Sequence, residues 1–103
     1  MTKQRKPVRD DQRFNRLMKT CHGDLLWEDT VWMISVASLE ELENKWAETF
    51  VIAFRALRRG HRLYRTARTW NPIKHLIYSR ICELNGYQPK SYDELRSQTY
   101  KSS

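Results

Sequence analysis

Residues 38–69, SLEELENKWAETFVIAFRALRRGHRLYRTART, decide how this chain is read. At 3.6 residues per turn, Leu42, Trp46, Phe50, Ala53, Leu57, Gly60, Tyr64 and Ala67 fall on one face. Their steps of three and four mark a buried helical stripe. Ser38, with Glu41 three positions on, forms a capping box that fixes the start. A continuous helix through Thr69 would be about 46 Å long at about 1.5 Å per residue. Gly60 admits a second reading, a C-cap that ends the helix at Arg59. Because the stripe stays in phase beyond it, the sequence favours one long helix, with Gly60 where another helix crosses closely.

Charge changes sign along this stretch. Glu40, Glu41, Glu43 and Glu48 load the first half, and Arg55, Arg58, Arg59, Arg62, Arg65 and Arg68 the second. Both ends suit the helix dipole, but two or three arginines would satisfy it. On a continuous helix Arg55, Arg58, Arg59, Arg62 and Arg65 span an arc of roughly 120°, a cationic ridge beside the apolar stripe. Guanidinium forks grip phosphate oxygens bidentately, so a row of them can follow a nucleic-acid backbone. Trp70 and His61 lie off the stripe and next to the ridge, where the indole is expected to stack on an unpaired base.

The rest of the chain agrees with a polyanionic partner. The net charge is +7 and the pI about 9.7. From Thr20 to Glu48 there are seven acids and one lysine, whereas Thr49 to Arg80 holds eight bases and no acid. Such polarity can orient a protein between nucleic acid and a basic protein neighbour. At 103 residues, with three glycines and three prolines, the chain reads as one helical domain over residues 8–99. Residues 1–7 read as a mobile basic arm and residues 100–103 as a frayed tail. No apolar segment resembles a signal peptide or reaches the length of a membrane span. With the unpaired Cys21 and Cys82, this leads to a reduced, cytoplasmic setting and no membrane partner.

The periodicity places a first helix at about Arg9–His22, with Phe14, Leu17, Met18 and Cys21 inward and Gly23 as C-cap. Arg13 and Arg16, with Arg9 and Lys19, give it a second basic face. Asp24–Ala37 is apolar on every side. Its run Val31–Ile34 admits a strand, but no partner strand exists elsewhere, so helix is expected. That apolar excess makes Trp27 and Trp32 candidate partner anchors, flanked by Glu40, Glu43, Glu28, Asp29 and Glu41 as acids for a basic neighbour. Asn71 and Pro72 open a further helix that Gly86 closes, and Ser91 with Glu94 caps a short last one containing Leu95. The whole is expected to be all-α, a bundle of four to five helices on one long central helix.

Catalytic and metal chemistry find little support. Arg55 and His61 match the Arg-x(4–6)-His pattern of HEPN ribonucleases, which are also helical. Arg16 with His22 and Arg68 with His75 match it equally well, so the pattern discriminates nothing in an arginine-rich chain. Cys21, His22, His61, His75 and Cys82 lack zinc-type pair spacing, and no cofactor or metal is expected. A helix-turn-helix would make Pro72–Asn85 the recognition helix, with only Lys74 and Arg80 to read bases, so backbone contact is preferred.

In length, fold class and its arginine-bearing helix, the chain resembles the small all-helical subunits of CRISPR effector complexes. The resemblance implies a non-catalytic role in antiviral defence. It also implies DNA or RNA strands, other protein subunits and further copies of the chain as partners. The HEPN-like ribonuclease is the alternative, along with a phage or plasmid accessory protein that acts by protein–protein binding.

Overall fold

The computed structural model describes residues 8–98 and is all-helical, with no strand among them. The expected basic arm and frayed tail lie outside the described residues. Six α-helices follow in order: α1 (Asp11–Met18), α2 (Trp27–Val36), α3 (Leu39–Lys45), α4 (Ala47–Arg58), α5 (Pro72–Leu84) and α6 (Tyr92–Arg96). Short 3₁₀ segments cover His22–Asp24 and Tyr64–Thr69. Among the described residues, no helix is long and apolar enough to cross a membrane.

The long central helix of the sequence reading does not form. Its capped start is as expected: the Ser38 hydroxyl accepts from Glu41 N–H, and the Glu41 carboxylate accepts from Ser38 N–H. At Trp46 the backbone leaves helical geometry (φ −122°, ψ 54°), and α3 gives way to α4. The ladder steps past this kink, since Trp46 N–H reaches Leu42 O and Phe50 N–H reaches Trp46 O. Neither Gly nor Pro stands there to announce the break.

The second break is at Gly60, and here the C-cap reading holds. Gly60 N–H bonds Leu57 O (3.0 Å) and His61 N–H bonds Ala56 O (2.7 Å), the paired bonds of a Schellman motif. Gly60 sits at φ +71°, and His61 follows it into the left-handed region at φ +66°. No helix crosses at Gly60, which is exposed. α5 ends in the same way, with Gly86 at φ +79°, Gly86 N–H on Glu83 O and Tyr87 N–H on Cys82 O.

The α4–α5 pair makes the most extensive contact in the fold. Its two helices run side by side in the same direction. The start of α4 shares a cavity with Ile73 at the start of α5, and His61 and Tyr87, just past their ends, pack together. Ala53 and Ala56, the buried residues of α4, are small enough for close approach. Around this pair Phe14, Met33, Leu42, Ile77, Ile81 and Leu95 are fully buried, so every α-helix gives at least one side chain to a single core. α1 stops at Met18, four residues before the expected end. Cys21 consequently leaves the core and is exposed, while Cys82 is buried as a small apolar residue.

Gly60→Ala separates the two readings of the central stretch by sign. A Cβ at Gly60 meets nothing within 4 Å, so its cost is purely conformational. At φ +71° it is expected to lower stability by about 1 kcal/mol, a melting temperature lower by roughly 4–8 °C. A helix running through this position would instead gain about 1 kcal/mol from alanine. Thermal denaturation of the variant decides between them.

Candidate nucleic-acid interface

α4 carries the first arginines to its own C-terminus. Arg55 and Arg58 lie in its last turn and Arg59 is its C-cap, where guanidinium groups offset the partial negative charge of the free carbonyls. Arg62 follows the Gly60–His61 turn, and Arg65 and Arg68 fall in the 3₁₀ segment. The five-residue arc of a straight helix is therefore broken into a helix end, a turn and a 3₁₀ run. Arg55, Arg58, Arg59, Arg62 and Arg68 are all solvent-exposed. On the side of α4, Phe50 stacks on Phe54 (5.7 Å between centroids), and the Arg58 guanidinium lies 6.0 Å from the Phe54 ring, an i, i+4 ladder.

The turn that carries these arginines is held from outside. Gln98 accepts from Leu63 N–H (2.7 Å) and donates to His61 O (2.8 Å). Arg96 donates to the carbonyls of Ala67 and Arg68, both at 2.9 Å. His61 Nδ1 meets the Tyr78 hydroxyl, which also accepts from Lys90 N–H (2.9 Å). With Tyr78 donating to His61, all three groups are satisfied. Sequence patterning could not reveal Gln98, Arg96 or Tyr78 in these roles, because each acts across a loop at long range.

Trp70 is not the stacking surface expected of it. The indole is 2% exposed, packed edge-on against Tyr78 (5.8 Å), and its Nε1 donates to His75 Nδ1 at 3.3 Å. Burial holds the His75 imidazole below its usual range, so it stays neutral and able to accept. Among the described residues, Tyr87 is an exposed aromatic near the arginine turn, 55% exposed, with its ring 6.5 Å from that of His61. A helix-turn-helix does not form either. Residues 59–71 separate α4 from α5, far more than its tight turn allows.

The second basic face divides. Arg13 pairs with Asp29 at 2.7 Å and lies 4.1 Å over the Trp32 ring. It therefore braces α1 against α2 instead of facing a ligand, while Arg16 is exposed. Arg9 grips Glu41 through both terminal nitrogens at 2.8 Å, bonds Asp11 at 2.8 Å and lies 4.0 Å from the Phe14 ring centre. Of the acids assigned to a basic neighbour, Asp29 and Glu41 are thus neutralised within the chain. Glu28, Glu40 and Glu43 are exposed. Trp32 is half-buried against Phe14, whereas Trp27 is 55% exposed beside Leu26 at 62%.

Other constellations are modest. Lys45 donates to Met18 O (3.0 Å) and Thr20 O (2.7 Å), closing the end of α1, and desolvation lowers its pKa. His22 stacks on Trp46 at 6.1 Å beside a cavity of about 430 Å³. Among the described residues, no group of three His, Cys, Asp or Glu side chains could hold a metal ion. Comparison with protein-family models, curated proteins and solved structures gives no match.

The Arg9–Glu41 clamp has a pH signature. The Arg9 guanidinium holds the Glu41 carboxyl at about 2, below its ordinary 4.5. A carboxyl depressed in the folded state adds stability above its unfolded value, and that stability is lost as pH falls through the folded one. Glu41→Gln is expected to cost about 1 kcal/mol at neutral pH, since the pair is partly exposed. Melting curves of both proteins should converge as pH drops from 4.5 towards 2. A gap independent of pH would show that ionisation of Glu41 contributes nothing to it.

Proposed function

We propose that this chain is a non-catalytic nucleic-acid-binding subunit that grips a phosphate backbone inside a larger nucleoprotein assembly. In this it would be similar to the small helical subunits of CRISPR effector complexes. The observation that carries the reading is a cluster of exposed arginines on a segment without acids. Arg55, Arg58, Arg59, Arg62 and Arg68 reach solvent together. Five exposed guanidinium groups at one helix end and the turn after it offer a cationic surface suited to phosphate oxygens. A cytoplasmic setting fits the free thiols of Cys21 and Cys82.

His61 bears on the ribonuclease alternative. Its Nδ1 is engaged with Tyr78, and its ring is half-buried between Tyr78 and Tyr87. The non-catalytic reading therefore rests on its use as a packing residue of the turn.

Binding to labelled oligonucleotides of unrelated sequence should be similar in strength and fall steeply with salt. The expected log–log slope is roughly −0.7 per phosphate contacted on single strands. Arg55→Ala combined with Arg59→Ala should weaken binding and flatten the slope by roughly two such contacts. The same incubations should show intact strands. Binding that ignores salt, or cleavage lost on Arg55→Ala and on His61→Ala, overturns the proposal.

The protein-facing side of the proposal falls on Trp27 and Leu26, with Glu28, Glu40 and Glu43 as exposed acids. Trp27→Glu is expected to leave the fold intact, because the indole is largely outside the core, and to abolish co-assembly measured as particle mass. A folded variant that assembles normally would remove Trp27 from any interface.

A further inference from the structure

We propose that Tyr87 is a base-stacking platform and that the strand this chain takes is therefore single-stranded, a reading that rests on the nucleic-acid binding proposed above. Tyr87 and His61 occupy equivalent places, each just after the left-handed glycine that ends its helix. The two rings meet nearly edge-to-face, at 6.5 Å and 75°. His61 is fixed by the Tyr78 hydroxyl and, through its carbonyl, by Gln98. The Tyr87 backbone is fixed by its N–H bond to Cys82 O at 2.8 Å. The ring is thus mounted on a rigid base, yet the residue is 55% exposed.

Its neighbours select the ligand. His61 stands between Arg59 and Arg62 in sequence, so the platform adjoins the cationic turn. Glu83, the acid nearest Tyr87 in sequence, is paired with Arg80 at 3.1 Å. An aromatic face next to phosphate-binding groups takes a base that is not already stacked and paired, which a single strand offers and a duplex does not. An apolar protein partner would have no use for the adjoining arginines.

The test uses the full chain with a mixed-sequence labelled oligonucleotide, as single-stranded DNA, as single-stranded RNA and as the matching DNA duplex. Tyr87→Ala is expected to weaken single-strand binding roughly five- to a hundredfold, the loss of about one stacked base. The salt slope and duplex affinity should stay unchanged, and Tyr87→Phe should bind like the parent. Photocrosslinking of the unaltered chain to a bromouracil-substituted strand should place the adduct on the peptide containing Tyr87, which guards against a misfolded variant. Equal losses on single strand and duplex, no loss on either, or crosslinks elsewhere overturn the stacking role. If the arginine variants still weaken binding in those cases, the nucleic-acid reading survives without it. If Tyr87→Ala changes only the particle mass, Tyr87 belongs to a protein interface and the proposal fails. An unaltered chain that binds no strand at low salt removes the underlying reading, and this inference with it.

Discussion

The buried ring of Tyr78 is the point from which the irregular half of the molecule is held. Its centroid lies 5.7 Å from His61, 5.8 Å from Trp70 and 5.5 Å from His75. Its hydroxyl reaches His61 on one side and Lys90 N–H on the other. α5 thereby fixes both the turn that follows α4 and the loop that leads into α6. A buried phenol left without partners would cost about 1–3 kcal/mol, so its place in the core depends on those two loops being where they are. Burial also pushes its pKa well above the usual range, which keeps the proton available to His61. Residues 59–70, with no long helical ladder of their own, are held by bonds from α5, from α6 and from Gln98 just beyond it.

The capping boxes at Ser38 and Ser91, the Asn71–Pro72 start and the Gly86 stop were legible in the sequence. Each is a local rule in which one side chain or one backbone angle decides. The helical assignment of α2 was legible too, from the lack of any partner strand. The all-α class follows from these elements. The long central helix was a misreading with an identifiable cause. Leu42, Trp46, Ala53 and Ala67 of the stripe are buried and Phe50 and Leu57 partly so, whereas Gly60 is exposed, so the periodicity tracked burial except at the turn. Continuity did not follow, because a kink at Trp46 and a Schellman turn at Gly60 return the chain to the same core. Leu63, 2% exposed and outside the stripe, is the residue that records the change of phase.

The candidate site was legible in its charges and not in its aromatic. Arginine clustering is a property of sequence, and exposure at Arg55, Arg58, Arg59, Arg62 and Arg68 follows from the cost of taking a guanidinium charge out of water. Trp70 was placed beside the ridge by extending the helix wheel past Gly60. Once the helix ends there, the wheel no longer applies, and the indole turns inward to Tyr78 and His75. Tyr87 reaches the turn only because α5 packs alongside α4, a relation that no local pattern encodes. The same holds for Arg13, whose place on an exposed basic face gave no sign of Asp29 or Trp32 waiting on α2.

Magnitudes decide whether the exposed arginines are explained by the fold itself. α4 and α5 end side by side, and each C-terminus carries roughly half a negative charge. The last turn of α5 contains no base, so the cations of α4 serve both ends. Together the two dipoles amount to about one elementary charge, against five exposed arginines. Arg9 and Arg13 neutralise Glu41 and Asp29 at contact distance. Exposed arginines are thus concentrated at the shared end of α4 and α5, where the chain turns on Gly60 and Tyr87 stands exposed.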